Sequence, residues 1–408
     1  MLIDYFENQI QHNLKIIIIA VINFNLKIIV LAQFACTSLW FAGNAVLPNL
    51  IPQFHLEASS VSHLTSAVQL GFILGTLVFA VFTISDRFSP SKVFLVCAVA
   101  GAVCNASILA ADGLSTLVLS RFLTGFCLAG IYPVGMKIAA DYHRQGLGKA
   151  LGFLVGALVV GTAFPHLLKS LTEGLPWRYV IWATSGLAVA GGVALFLLVP
   201  DGPYRAKSSQ PDFTAFFQIF RQKDFRAAAF GYFGHMWELY TFWAFVPVML
   251  AMYAEANPEL RLNNPLWSFS IIAVGAVACV AGGYLSRSMG SARTAFSALA
   301  VSFVCCLLSP WLFALPLGLF LGLLLVWGFA APMDSPQFST LVAQNAPAQA
   351  KGTALTIVNS LGFALTIVSI QFLRFIQSSI DSRYWFLFLA LGPLLGLLAM
   401  RRLVQKKA

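Results

Sequence analysis

Apolar residues come in long runs, at 28–50, 61–84, 93–111, 114–140, 150–168 and 178–199, then again at 227–252, 266–285, 294–312, 315–341, 353–374 and 384–401. Short polar breaks separate them. An α-helix needs about 20 apolar residues to cross about 30 Å of hydrocarbon, so each run predicts a membrane-spanning helix. Twelve such helices take up roughly 240 of the 408 residues and leave only short connections. The longest polar stretch, 201–226, divides the runs six and six. Its Phe213, Phe216, Phe217 and Phe220 stand at helical spacing beside Arg221, Lys223 and Arg226, which predicts a short amphipathic helix on the membrane surface. A linker without regular structure is the alternative.

The pattern also repeats. The loop Ser85-Asp86-Arg87-Phe88-Ser89-Pro90-Ser91-Lys92 has a second version about 200 residues later, Ser286-Arg287-Ser288-Met289-Gly290-Ser291-Ala292-Arg293. Gly148-Lys149-Ala150-Leu151 is echoed by Lys351-Gly352-Thr353-Ala354-Leu355, and Pro133 by Pro336, at nearly the same offset. Matches at one offset indicate two similar halves, 28–200 and 227–408, joined by 201–226. In membrane proteins built this way, the solute site lies between the halves.

Composition fits an all-α integral membrane protein: 59% of residues are hydrophobic and 10% charged, against about 25% charged in soluble domains. The net charge of +10 does not mark a nucleic-acid binder, because the basic residues are scattered between apolar runs. They act as topology signals. Seventeen Lys and Arg lie on the side of the central linker and the C-tail, and five on the other, which predicts that the first side, with both termini, is cytoplasmic.

Residues 1–27 differ from the rest. Residues 1–30 hold nine Ile and four Asn with no Gly or Pro. Ile16–Asn23 is too short to span and no small-residue cleavage site follows, so an extension is expected, dispensable or else an amphipathic anchor. All seven cysteines fall inside apolar runs, implying no disulfide framework. No CxxC, HExxH, GxSxG or Walker-type loop occurs, so no metal site and no cofactor is expected, and neither an enzyme nor an ATP-driven pump has support.

Asp86-Arg87 followed by Lys92, in the loop after the second span, resembles the signature loop of the major facilitator superfamily, with Arg287 and Gly290 as its weaker second copy. Arg121-Phe122-Leu123-Thr124-Gly125 resembles that superfamily's R-x-x-x-G motif in the fourth helix. Gly130-Ile131-Tyr132-Pro133-Val134-Gly135 and Gly234-His235-Met236-Trp237-Glu238-Leu239-Tyr240 are similar to a bacterial branch grouped with nitrate and cyanate permeases. The chain departs from the pattern at Phe82 (usually glycine), at Pro90 (usually arginine) and at Gly156-Ala157, where an antiporter motif has Gly-Pro. Nitrate carriers of that branch hold the anion with arginines in helices 2 and 8, which have none here. The resemblance implies twelve helices in two pseudo-symmetric six-helix bundles, a bacterial inner membrane, and a cavity lined by helices 1, 4, 7 and 10. It also makes Asp86, Arg87, Lys92 and Arg287 a gating loop. An acid at a helix end can meet a neighbouring helix's N-terminus and basic groups in one gate state.

Three charges lie within spans: Arg121, Glu238 and Asp334. Each costs about 2.5–3.5 kcal/mol at a bilayer centre, and all three fall on helices that the resemblance assigns to the cavity. Gln33, Thr37, Trp40 and Asn44 share one face of the first helix, and His235 and Glu238 share one with Phe242 in the seventh. Trp327 lies seven residues before Asp334, which Pro332 and Pro336 bracket. Polar packing between helices is the competing explanation for each residue singly. Together with Tyr132 they form the expected substrate site. Glu238, with His235 and Asp334, is the expected proton-coupling group, since burial favours the neutral carboxyl. Arg121 is expected to hold an anionic substrate or the deprotonated acid. His63 and His166, near span ends, are read as interfacial. The expected function is a monomeric secondary transporter of a small solute, proton-coupled and working by alternating access. A drug or metabolite efflux antiporter and a non-transporting membrane sensor are the alternatives.

Overall fold

A computed structural model describes residues 24–57, 59–142, 147–205, 220–347 and 351–405. Most of the 1–27 extension and the centre of the linker, with Phe213, Phe216 and Phe217, lie outside the described residues, as do the side chains of Lys149 and Lys351.

Among the described residues, twelve helices are long and apolar enough to cross a membrane. They are α1 Phe24–Gln53, α2 Ser60–Val81, α3 Pro90–Ala110, α4 Leu114–Tyr142, α5 Ala150–Leu171, α6 Arg178–Leu198, α7 Lys223–Ala256, α8 Asn264–Met289, α9 Ser291–Ala314, α10 Leu317–Asn345, α11 Gly352–Ile376 and α12 Ser382–Gln405. Each covers one of the runs read from the sequence. Exposed apolar side chains such as Val96, Leu197, Val277 and Phe375 face outward, as a lipid-facing surface requires.

The packing repeats as the sequence does. In the first half α2 packs on α4 and α3 on α6; in the second α8 packs on α10 and α9 on α12. The halves meet where α5 lies on α8 and α2 on α11, two contacts that exchange when the halves are exchanged. Two glycines fix the closest crossings. A Cβ on Gly125 of α4 would run into the carbonyl oxygen of Val68 on α2, and one on Gly328 of α10 into that of Ile271 on α8. Both pairs are separated by the same 203 residues that separate Pro133 from Pro336.

Local signals explain the ends and the breaks. The α2–α3 loop turns at Thr83, whose φ of 48° is left-handed. Ser89 then caps α3 ahead of Pro90, accepting from the Lys92 amide at 3.5 Å. In the second half Gly290, φ 81°, makes the equivalent turn. α4 is interrupted at 129–131 and α10 at Asp334, just ahead of Pro133 and Pro336, which lack the N–H a continuous helix needs. α1 breaks at 38–41, whereas α7 runs unbroken from Lys223 to Ala256.

The α1 break corrects one expectation. Gln33, Thr37, Trp40 and Asn44 do not form a single face, because the helix changes phase between Thr37 and Ala42. His166 is likewise buried rather than interfacial.

Candidate functional site

Between the halves lies a small cavity. Its walls come from α4 and α5 on one side and from α7, α10 and α11 on the other. α7 presents Tyr232, Met236, Leu239, Tyr240 and Trp243 to it, spaced i, i+4, i+7, i+8 and i+11 along one helical face. Tyr132 faces them from the start of the second segment of α4. Ser335, Ser339 and Asn359 supply the remaining polar groups. The free volume is about 30 Å³, room for roughly one or two waters.

An aromatic layer roofs the cavity and joins the halves. Trp40 of α1 stacks on Phe363 of α11 at 5.8 Å and lies 5.6 Å from Tyr240; Phe72 of α2 lies 4.5 Å from Phe363. Beyond the layer, at the end opposite the α2–α3 loop, hydrogen bonds tie the halves. Gln371 donates to Ser66 Oγ at 2.8 Å and to the Ser62 carbonyl at 3.3 Å, and Ser170 donates to Asn263 Oδ1 at 3.3 Å.

The profile of the Major Facilitator Superfamily matches residues 29–370. The chain belongs to that superfamily. Among curated relatives, the uncharacterized transporter YgaY of Escherichia coli O157:H7 is 26% identical over 169 residues, covering 38% of this chain and 39% of its own. The niacin transporter NiaP of Acinetobacter baylyi is 33% identical over 128 residues, 28% and 29% of the two chains. In both, the match spans less than half of the relative's length. Among solved structures, the human organic anion transporter MFSD10 superposes with a TM-score of 0.74 at 17% identity, over 92% of this chain and 98% of that one. Nucleoside transporter NupG, solved as a point mutant, gives 0.70 at 14% identity, over 94% and 100%. These likenesses fix the fold: this superfamily member is a multi-pass membrane protein whose described residues hold twelve helices long and apolar enough to cross a membrane.

The predicted site residues fall into separate places in this superfamily member. Tyr132 lines the cavity and Trp40 its roof. His235, Glu238 and Phe242 share a face of α7, as expected, but it is not the face toward the cavity. It turns to α9 and α10. Glu238 Oε1 accepts from Trp327 Nε1 at 2.5 Å, from Ser302 Oγ, and from Cys306 Sγ at 3.5 Å. Phe242 stacks on Trp327 at 4.5 Å. His235 Nδ1 meets Asp334 Oδ1 at 2.7 Å, with both side chains 1% exposed. Expecting His235, Phe242 and Trp327 against the solute was therefore an error of helical phase. They lie one layer behind the wall.

Arg121 is elsewhere again. Its guanidinium reaches into the α1 break, where Nη2 donates to the Leu39 carbonyl at 3.0 Å and to that of Trp40, while Nη1 donates to Asn105 Oδ1 at 3.2 Å. Its fork holds protein acceptors behind α1. Gln33 packs against Gly135, Thr37 donates to the Gln33 carbonyl, and Asn44 donates to Thr65 at 2.7 Å.

In the loop, Asp86 pairs with Lys137 of α4 at 2.7 Å. Arg205 donates to the carbonyls of Asp86 and Phe88. Arg87, Lys92 and Arg287 are exposed, Arg287 lying over the Tyr284 ring at 5.3 Å. The acid thus meets a basic group of a neighbouring helix, Lys137 of α4. Sequence reading missed Tyr232, Tyr240, Trp243 and Phe363. One of them carried a usable signal: Trp243 follows Trp40 by the repeat offset of 203 residues.

Proposed function

We propose that the protein is a secondary active transporter of the bacterial inner membrane, moving a small solute by rocking its two halves about the cavity, with uphill movement driven by protons through Glu238. The supporting observation is the setting of Glu238. It is 1% exposed, its hydrogen-bond partners are the neutral donors Ser302, Cys306 and Trp327, and among the described residues no Lys or Arg pairs with it. A carboxylate there is an uncompensated charge at depth, and a proton removes that charge. α7 carries both this acid and the cavity wall, and Trp327, ahead of the α10 break, and Asp334, at it, bind α10 to α7. Gaining or losing the proton therefore changes what fastens α10 to the helix that touches the solute.

Two contact pairs between the halves, α5–α8 and α2–α11, provide the surfaces along which they rock, and the contacts between Ser62 and Gln371 close one end. The charge bias of the loops makes the end bearing the Asp86 loop cytoplasmic. The carriers of niacin, organic anions and nucleosides named above show that chains similar in sequence or fold move small organic solutes.

The test is solute uptake in proteoliposomes under an imposed proton gradient. Glu238→Gln keeps an oxygen acceptor for Ser302 and Trp327 but cannot ionise. It should abolish accumulation and leave binding and counterflow exchange intact. Asp334→Asn, whose carboxyl faces His235, should reduce accumulation less. Full accumulation by Glu238→Gln would refute the assignment.

A further inference from the structure

None of the side chains lining the cavity is Asp, Glu, Lys, Arg or His. The three charges buried within the neighbouring spans have partners outside it. Arg121 is closed on the Leu39 and Trp40 carbonyls, Glu238 on Ser302 and Trp327, and Asp334 on His235. The walls are chiefly rings and thioethers: Tyr132, Tyr232, Tyr240, Trp243, Phe363 and Met236. One polar atom is conspicuous. Trp243 is fully buried, lines the cavity, and its indole Nε1 has no hydrogen-bond partner. Indole N–H can only donate, and a buried donor left unmade is costly.

We propose that the solute is a flat, uncharged aromatic or heteroaromatic molecule, gripped between the rings and oriented by an acceptor on its edge that takes the Trp243 N–H. This deepens the reading above, since it takes the cavity to be the transport site. The chemistry excludes the competing classes. An organic anion would enter a site with no cation, and burying an unpaired charge is far more expensive than burying a neutral group. An organic cation could use the ring faces, but the two nearby carboxylates lie behind α7 with their own partners. The walls enclose about 30 Å³ in this state, so a flat ring enters only when they part, by about one contact layer of 3.5–4 Å. Offset and edge-on ring contacts then hold it.

The experiment titrates the purified full-length protein in lipid nanodiscs at pH 7 with matched carboxamide, carboxylate and aminomethyl compounds on one-ring and two-ring aromatic scaffolds. Carboxamides should bind at least tenfold tighter than both charged counterparts. Trp243→Phe, which keeps a ring and deletes the N–H, should weaken them about tenfold. Asn359→Ala, on the α11 wall, carries the same test if Trp243→Phe does not fold, and should weaken them severalfold. Equal or tighter binding of a charged counterpart, no binding by any compound, or indifference of the carboxamides to the substitutions would overturn the proposal. Uptake in proteoliposomes separates the two readings. A charged compound accumulated with protons sinks the substrate class and leaves the transporter standing. A carboxamide that binds as expected but is never moved does the reverse.

Discussion

Trp40 in the first half and Trp243 in the second stand at equivalent points of the repeat, and both contribute rings beside Tyr240. The helices around them have diverged. α1 breaks at 38–41 and exposes the Leu39 and Trp40 carbonyls, which the guanidinium of Arg121 takes up; the position equivalent to Arg121 in α10 is Leu324, and there α7 stays helical. Conversely, the position equivalent to Glu238 in α1 is Ala35. At these equivalent places one half therefore buries a permanent cation held by two backbone oxygens and Asn105, and the other an acid able to change charge. A permanent charge held by several acceptors suits a fixed joint. A titratable one suits a moving joint. The pseudo-symmetric scaffold is shared, and the acid proposed to carry the coupling proton lies in one half of it, with no counterpart at Ala35.

The sharpest way to break this contrast is to remove each charge in turn and measure thermal unfolding of the detergent-purified protein. Arg121→Met strands two backbone carbonyls and Asn105 without their donor, and each buried polar group left unmade costs about 1–3 kcal/mol. A large drop in unfolding midpoint and in monodisperse yield is expected. Arg121→Lys should recover only part, because an ammonium cannot fork between acceptors as a guanidinium does. Glu238→Gln should shift stability by less than about 1 kcal/mol, since its amide oxygen still accepts a neutral hydrogen bond. If Arg121→Met unfolds normally but loses solute binding, the fixed-joint assignment is wrong.

The shared scaffold can be tested at its two tightest crossings. Gly125→Ala and Gly328→Ala each drive a methyl into a carbonyl of the facing helix. Overpacking of this order costs about 1–3 kcal/mol, and because the two sites are repeat mates the losses should match. A loss confined to one variant would show that the halves are not equivalent in packing.

How much of this was visible beforehand follows from what each feature needs in order to be seen. The twelve spans show plainly because long apolar runs have few other uses, and the breaks in α4 and α10 show through Pro133 and Pro336. Arg121, Glu238 and Asp334 could be picked out because charge in an apolar run is rare. Their partners could not. Arg121 is held largely by backbone oxygens, which every residue possesses, and the α1 break that frees them contains no proline. Phase was the other obstacle. His235, Glu238 and Phe242 did share a face, but periodicity does not say which neighbour that face meets, and the aromatic wall of Tyr232, Tyr240 and Trp243 reads in sequence as ordinary apolar filling.

The smallest expected effect concerns the two loops. In the first half Asp86 is paired with Lys137 and roped in by Arg205; in the second Arg287 rests on the ring of Tyr284. The Asp86–Lys137 side chains are 16% and 22% exposed, so the pair is partly wet and its net contribution is below about 1 kcal/mol. Asp86→Asn should barely move the unfolding midpoint, and Arg287→Ala should not move it at all. Rates should separate them more clearly than stability does. If the first loop is a latch, the contacts of Asp86, Lys137 and Arg205 must loosen or re-form as the halves rock, so Asp86→Asn should change uptake rate severalfold with solute affinity unchanged. Lys137→Gln should reproduce that change, and the double variant should add little to either single one, because both remove the same contact. Additive effects of the two substitutions would show that Asp86 and Lys137 act separately, and the ion pair would then be incidental to gating.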